Sequence, residues 1–429
     1  MMTFVLPAST ALLGVLGATC YVSQYQMVDV GGFHMHAIRM VLLVALLRAG
    51  TGGQLAAMRF NAIDKNVLVY CLVSSVVFIV RESSATALVG QLGTAYNVLV
   101  AYFAFRALIT SYEDFEEFLA KAAIFIVPLA FCMSFEAVKG QSLFTGIGDE
   151  FRDGHYRCEG AFRSPITCGT FGATLMPLFA GLWFKPGRRA FAIVGMCAAT
   201  DIVLCSRSSG PLLAYGAGLI GLFFWRFRAN MRKIRRGFAL TLIALHLYMK
   251  APVWFLMGRI SDVVGGGGYH RAEIVDSAVK NFRTWWFWGT STTGDWTATQ
   301  LSFGGADLTN QFVVEGVHAG LAALVLFIWI IVRCFRNIGL AVDKTEEESP
   351  EVARMIWAMG VALLATVVNF LSVSYLDQIQ VVWLLLLAAI VSVTSAIVAQ
   401  EALVTAGASP QELEESQPIP CPTPGHNIS

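Results

Sequence analysis

Residues 311–332 read QFVVEGVHAGLAALVLFIWIIV, and Arg333 and Arg336 follow at once. The polar side chains of this stretch, Gln311, Glu315 and His318, all lie near its start. A helix that crosses the hydrocarbon core of a bilayer needs roughly 20 predominantly apolar residues. The stretch has that length, and its basic residues gather at one end. Reading outward from it, about twelve such segments emerge by the same criterion. They lie near 3–20, 34–48, 66–80, 87–109, 118–136, 165–184, 190–205, 209–225, 237–256, 311–332, 355–373 and 378–399. The first has no basic leader and no good small-residue cleavage site, so it reads as a retained helix.

Composition agrees. Of 429 residues, 56% are hydrophobic and 14% charged, and the mean hydropathy is +0.63. Soluble domains average roughly 25% charged residues, so this chain cannot cover a body of its size with a water-facing surface. That excludes a soluble enzyme, a disordered chain and a nucleic-acid binder. Net charge is +1 and selects no partner. The nine cysteines are odd in number, fall mostly inside apolar runs and include no CxxC pair, so no disulfide framework is expected. Only Cys158 reads as loop-borne.

Orientation follows from lysine and arginine in the short loops. Lys185, Arg188 and Arg189 mark one loop, and Arg226, Arg228, Arg232, Lys233, Arg235 and Arg236 the next but one. Arg333, Arg336, Lys344 and Arg354 fall on the same side, as do Arg48, Arg59 and Lys65. The split is roughly 16 basic residues inside against about 2 outside. Both termini are then cytoplasmic, and two long loops, about 137–164 and 257–310, face outward. The expected fold is all-α and polytopic. One transmembrane domain spans 1–399, and a polar, proline-rich tail over 400–429 is expected to be disordered on the cytoplasmic side.

The outer loops carry the candidate chemistry. Gly265, Gly266, Gly267 and Gly268 precede Tyr269, His270 and Arg271. Ile274, Val275, Ala278, Val279, Phe282, Trp285 and Trp286 then recur at helical spacing, with Glu273, Asp276, Lys280 and Asn281 on the other face. This predicts an amphipathic helix on the membrane surface or capping the bundle. Free N–H groups, the positive dipole end, close approach at the glycines and the fork of Arg271 suit a phosphate or diphosphate. A flexible linker into a surface helix fits the same residues. Arg207 lies in the turn Cys205-Ser206-Arg207-Ser208-Ser209, at the outer edge of the hydrocarbon. There a cation is tolerated if it faces a cavity, binds an anion or snorkels. Arg157 and Arg163 add positive charge outside against the topological bias, another hint of an anionic ligand. Trp285, Trp286, Trp288 and Trp296 read more simply as interfacial anchors than as a sugar platform. His246 and Asp201 fall within apolar segments, and a satisfied neutral imidazole is the simpler reading of His246. The runs Glu113–Glu117 and Glu346–Glu348 read as solvated faces. Glu315 and His318 share a helical face, but two ligands make no metal site, and neither a metal nor another cofactor is expected.

In order, Gly160-Ala161-Phe162-Arg163-Ser164-Pro165, Ser206-Arg207-Ser208-Ser209-Gly210, Tyr269-His270-Arg271, Gly289-Thr290, Thr309-Asn310-Gln311-Phe312, Glu315-Gly316 and Gly320-Leu321 resemble the O-antigen ligase and polysaccharide polymerase superfamily. The resemblance covers about residues 150–335, and the topology loosely. It implies a GT-C-type glycosyltransferase of the bacterial inner membrane, with its active site facing the periplasm. Such an enzyme moves a glycan from a polyprenyl diphosphate carrier to an acceptor glycan or glycolipid. It also implies that Arg207 and Arg271 hold the diphosphate. Ligases of the family usually place a histidine where Thr309 stands before Asn310, which tilts the expectation toward a polymerase. Gly268, Asn310, Arg157 and Arg163 are the expected substrate-binding residues. A base for the acceptor hydroxyl would come from His270, His318 or Glu315. The alternative from another class is a flippase or exporter of lipid-linked oligosaccharide. It would more naturally show charges along several helices and paired broken helices.

Overall fold

In the computed structural model, the residues described are 8–23, 26–30, 33–144, 150–152, 154–297 and 305–405. The expected tail beyond residue 405 and the start of the first segment lie outside them. Most of the chain's described residues are helical. Its principal helices are α1 (Ala8–Tyr21), α2 (Ala37–Thr51), α3 (Ala62–Glu82), α4 (Ala85–Leu108), α5 (Tyr112–Phe125), α6 (Val127–Lys139), α7 (Pro165–Leu182), α8 (Arg189–Cys205), α9 (Ser209–Phe223), α10 (Met231–Tyr248), α11 (Leu256–Val264), α12 (Gly268–Lys280), α13 (Gln311–Glu348), α14 (Pro350–Phe370) and α15 (Asp377–Thr405). Two small antiparallel hairpins, Met27–Val30 with Phe33–His36 and Glu150–Arg152 with His155–Arg157, are the strands among the described residues.

Among the described residues, eight helical runs are long and apolar enough to cross a membrane. The described residues of the twelve expected segments are mostly helical, but 34–36 belong to a strand and 249–252 to a bend, and the described lengths of α1, α2 and α8 are below the roughly 20 residues a perpendicular crossing needs. The segments expected at 209–225 and 237–256 form one run, bent through a 3-10 turn at Phe224–Asn230. The basic residues Arg232 to Arg236 lie on the first turns of α10 rather than in a loop.

Local sequence fixes the helix starts. Asn61 caps α3 and Ser111 caps α5, each in a reciprocal box with the aspartate three residues on. Ser164 and Thr167 do the same for α7, whose first residue is Pro165. In lipid, apolar contact gives helices little reason to associate, and close backbone approach at small residues takes its place. α7 shows this. A Cβ at Gly172 would strike the Ala199 carbonyl of α8, and one at Gly169 would meet Ser206 and Pro211. α7 is accordingly almost entirely buried, between α8, α9 and α14. By contrast α3 turns Val69, Leu72, Val76 and Val80 outward, and α10 buries no residue at all. Broad apolar exposure of this kind suits contact with lipid.

The helix ends sort into two sets. At one end Glu116 near the start of α5 pairs with Arg188 (2.8 Å) and Lys185 (3.3 Å) beside the α7–α8 turn, and Lys185 also approaches Glu351 at the start of α14. Arg228 pairs with Glu346 of α13, and Lys344 donates to Ile397 O of α15. The expectation of solvated acidic runs therefore fails at Glu116, which is buried because it gathers two cations from the neighbouring turn. At the same end Asp64 of α3 is fully buried. It accepts from Arg106 Nε (3.1 Å) and Tyr102 Oη (2.7 Å) of α4, while Arg106 also reaches Ser392 of α15. The opposite end assembles the loops discussed next.

Candidate functional site

Cys158 is not loop-exposed as expected but fully buried, because its N–H pairs with Cys205 O across two segments. One residue earlier, Arg157 Nη2 donates to Ser208 Oγ at 2.9 Å. Ser208 Oγ in turn donates to Ser206 O. These bonds fix the α8–α9 turn from both sides and hold Arg207 in the left-handed region at φ +46°. A non-glycine residue there costs on the order of 1–3 kcal/mol and persists only where its surroundings impose it. The Arg207 side chain is exposed, and no protein carboxylate or hydrogen-bond acceptor meets it among the described residues.

Across this turn lies the glycine run. A Cβ at Gly266 would overlap Ser209 Oγ, so the run packs directly on the start of α9. The amphipathic helix exists as expected but ends at Lys280, with a separate turn at Phe282–Trp285. It buries Ala272, Ile274 and Ala278, and Asp276 on its side accepts from Trp254 Nε1. Gly267 takes the N-cap position with no capping side chain, so the N–H groups of Gly268, Tyr269 and His270 have no intrahelical acceptor. The Arg271 N–H already donates to Gly267 O, so it is not among the free ones. Gly268 is needed by the protein itself, since a Cβ there would strike Met257 O and Ser261 of α11.

Arg271 is half-buried, and no acceptor or carboxylate approaches its side chain among the described residues. Burial lowers its affinity for the proton, yet arginine stays charged well above neutral pH. The result is a partly desolvated, uncompensated cation, which attracts an anion. Arg163, in contrast, already has a partner, Asp377 Oδ2 at 2.9 Å.

The other candidates belong to a neighbouring assembly around α13. Its polypeptide is helical over 311–318 and again over 321–348, with non-helical dihedrals at Ala319 and Gly320 between. Asn310 caps the first half, and its Nδ2 is buried with no partner among the described residues. Glu315 is buried and accepts from Tyr70 Oη and Gln311 Nε2, both at 2.7 Å. Beside it is a cavity of about 30 Å³, room for one water, lined also by Tyr375 and Gln380. His318 stacks on Phe78, with centroids 4.3 Å apart, and its Nε2 lies 3.2 Å from Gln91 Oε1. Glu315 and His318 are thus engaged with α3 and α4. His270 is half-buried with no partner among the described residues.

The break is itself built. Arg81 Nη1 donates to Val317 O and His318 O at 2.9 Å each, Thr290 N to Val317 O, and Leu321 N to Trp286 O. Trp285 packs over Gly316 and Trp296 is also buried, whereas Trp286 and Trp288 stay exposed, so the tryptophans divide between core and surface. The sequence reading missed Arg81. Its one signal was an arginine closing an apolar segment, where a positive charge suits the negative end of the helix dipole.

His246 Nδ1 accepts the Val253 N–H, as a satisfied imidazole should. Asp201 accepts from Ser134. The described residues contain no group of three or more metal-ligating side chains, and none of their cysteines is in a disulfide. No family model matches the chain, and no curated protein is similar enough to it to be called a relative.

Proposed function

We propose that the chain is a multi-pass glycosyltransferase of the bacterial inner membrane, with about twelve crossings in a GT-C-like arrangement and both termini cytoplasmic. It would move a glycan from a polyprenyl diphosphate carrier to a sugar hydroxyl on the outer face, in the manner of polysaccharide polymerases and O-antigen ligases. The observation that carries this reading is Arg271. It is a half-buried cation with no counter-ion among the described residues, on a helix whose glycine run packs against the Arg207 turn.

The chemistry needs little else. The acceptor oxygen attacks the anomeric carbon while the bond to the diphosphate oxygen breaks, and the electron pair leaves with the diphosphate. Fixed cations stabilise the charge that develops there. The acceptor proton passes to a base. His270 is favoured, because Glu315 and His318 are held by Tyr70, Gln311, Phe78 and Gln91.

The break in α13 favours a second reading, a carrier of lipid-linked oligosaccharide, since broken helices line many transport sites. One experiment separates the two. Purified protein is incubated with a polyprenyl diphosphate oligosaccharide and the products are resolved by gel. Elongated or transferred glycan supports the transferase. Unchanged substrate that nonetheless crosses sealed vesicles points to the carrier.

A further inference from the structure

At the end of the bundle that carries Lys185, Arg188 and Arg228, α7, α8, α9 and α14 part around a cavity of about 440 Å³. Its walls are apolar and aromatic, with Trp183, Phe184, Leu222, Trp225 and Trp357 among them, and its one charged lining residue is Arg354. The Arg354 guanidinium carbon lies 4.2 Å from the centroid of the Phe184 ring and 5.8 Å from that of Trp225. Its Nε is shut off from solvent and has no acceptor among the described residues. Three carboxylates of this end are engaged with other cations, Glu351 with Lys185, Glu346 with Arg228 and Glu116 with Arg188, and no ion pair to Arg354 forms among the described residues. Arg354 also sits in the second turn of α14, where the helix dipole adds to its positive potential rather than offsetting it.

We propose that this cavity binds a phosphate-bearing lipid of the adjoining leaflet, with the phosphate on Arg354 and an acyl chain between Leu222 and the tryptophans. An unpaired guanidinium facing a hydrophobic wall is the complement of an anionic amphiphile. The apolar lining gives inorganic phosphate, which shares the same headgroup chemistry, nothing to bind beyond the one cation. The site is separate from the diphosphate site proposed above. The run of α9 from Ser209 to Leu222 puts roughly 20 Å between them at 1.5 Å per residue. The inference therefore stands whether or not the chain is a transferase.

The test uses the full chain, delipidated in neutral detergent, with tryptophan fluorescence read during titration. Phosphatidylglycerol with brominated acyl chains should quench saturably, at about tenfold lower concentration than brominated phosphatidylcholine. Arg354→Gln should erase that preference. Ala180→Phe, which fills the cavity and keeps the cation, should weaken both lipids by about tenfold while leaving the melting temperature within a few degrees. Equal quenching by the two lipids in the unmodified protein would overturn the proposal, as would an unchanged preference in Arg354→Gln. Displacement of the lipid by millimolar inorganic phosphate would show a free-anion site instead and overturn the lipid assignment.

Discussion

Arg81 Nη1 lies 2.9 Å from the carbonyl oxygen of His318, the last residue before α13 breaks. The same nitrogen serves Val317 O. A break leaves carbonyls without helical partners, and in a membrane interior each such group would cost several kcal/mol. One cation at the end of α3 thus satisfies the exposed end of a half-helix and complements its negative dipole.

Removing that cation should loosen the break. Hydrogen bonds from a charged donor contribute about 1.5–3 kcal/mol each, so Arg81→Gln should lower the thermal midpoint measurably in detergent. Gly320→Ala should act more severely. Gly320 has φ +77°, and a Cβ there would overlap the Phe287 carbonyl. Fluorescence melting and the yield of monodisperse protein test both, and an unaltered Gly320→Ala protein would refute the account of the break.

Arg271→Ala should reduce glycan transfer roughly 10²–10³-fold at matched membrane levels, with turnover falling more than binding. Arg271→Lys should restore only part, since lysine keeps the charge and loses the planar fork. Arg207→Ala should behave alike, and the double variant should lose less than the product of the two if both hold one diphosphate. Lys280→Ala is the control. Lys280 is exposed in its pair with Asp276, and an ion pair with an exposed member contributes about 0–1 kcal/mol. Near-normal turnover in Arg271→Ala would remove the proposed site.

Orientation is open to labelling. A membrane-impermeant thiol reagent applied to intact cells should modify Thr292→Cys above the native background and spare Lys233→Cys. The reverse pattern would invert the topology.

The buried pair Asp64–Arg106 should be costly to break and cheap to replace. Asp64→Ala leaves Arg106 charged and without its carboxylate, a loss of about 3–5 kcal/mol, whereas Asp64→Ala with Arg106→Met should recover most of it. Thermal unfolding of the two variants decides the matter; equal melting points would contradict it.

What the sequence determined by itself is the repeating, near-membrane-length apolar segment, its helical state and the sorting of basic loops to one end. These are local properties, set by runs of some 20 residues and by caps such as Asn61 and Ser164. The amphipathic helix after the glycines was legible for the same reason. Tertiary structure alone decided which polar residues meet. Gly266 finds Ser209, Arg81 finds His318, Asp64 finds Arg106, and Arg163 finds Asp377. Those contacts join residues far apart in the chain, and no local pattern encodes them. The break at Ala319–Gly320 belongs here too, because it persists only where Arg81, Trp286 and Thr290 bond to the opened backbone. The charges that meet no carboxylate among the described residues, Arg271 at one end and Arg354 at the other, could be recognised only once the side chains around them had been placed.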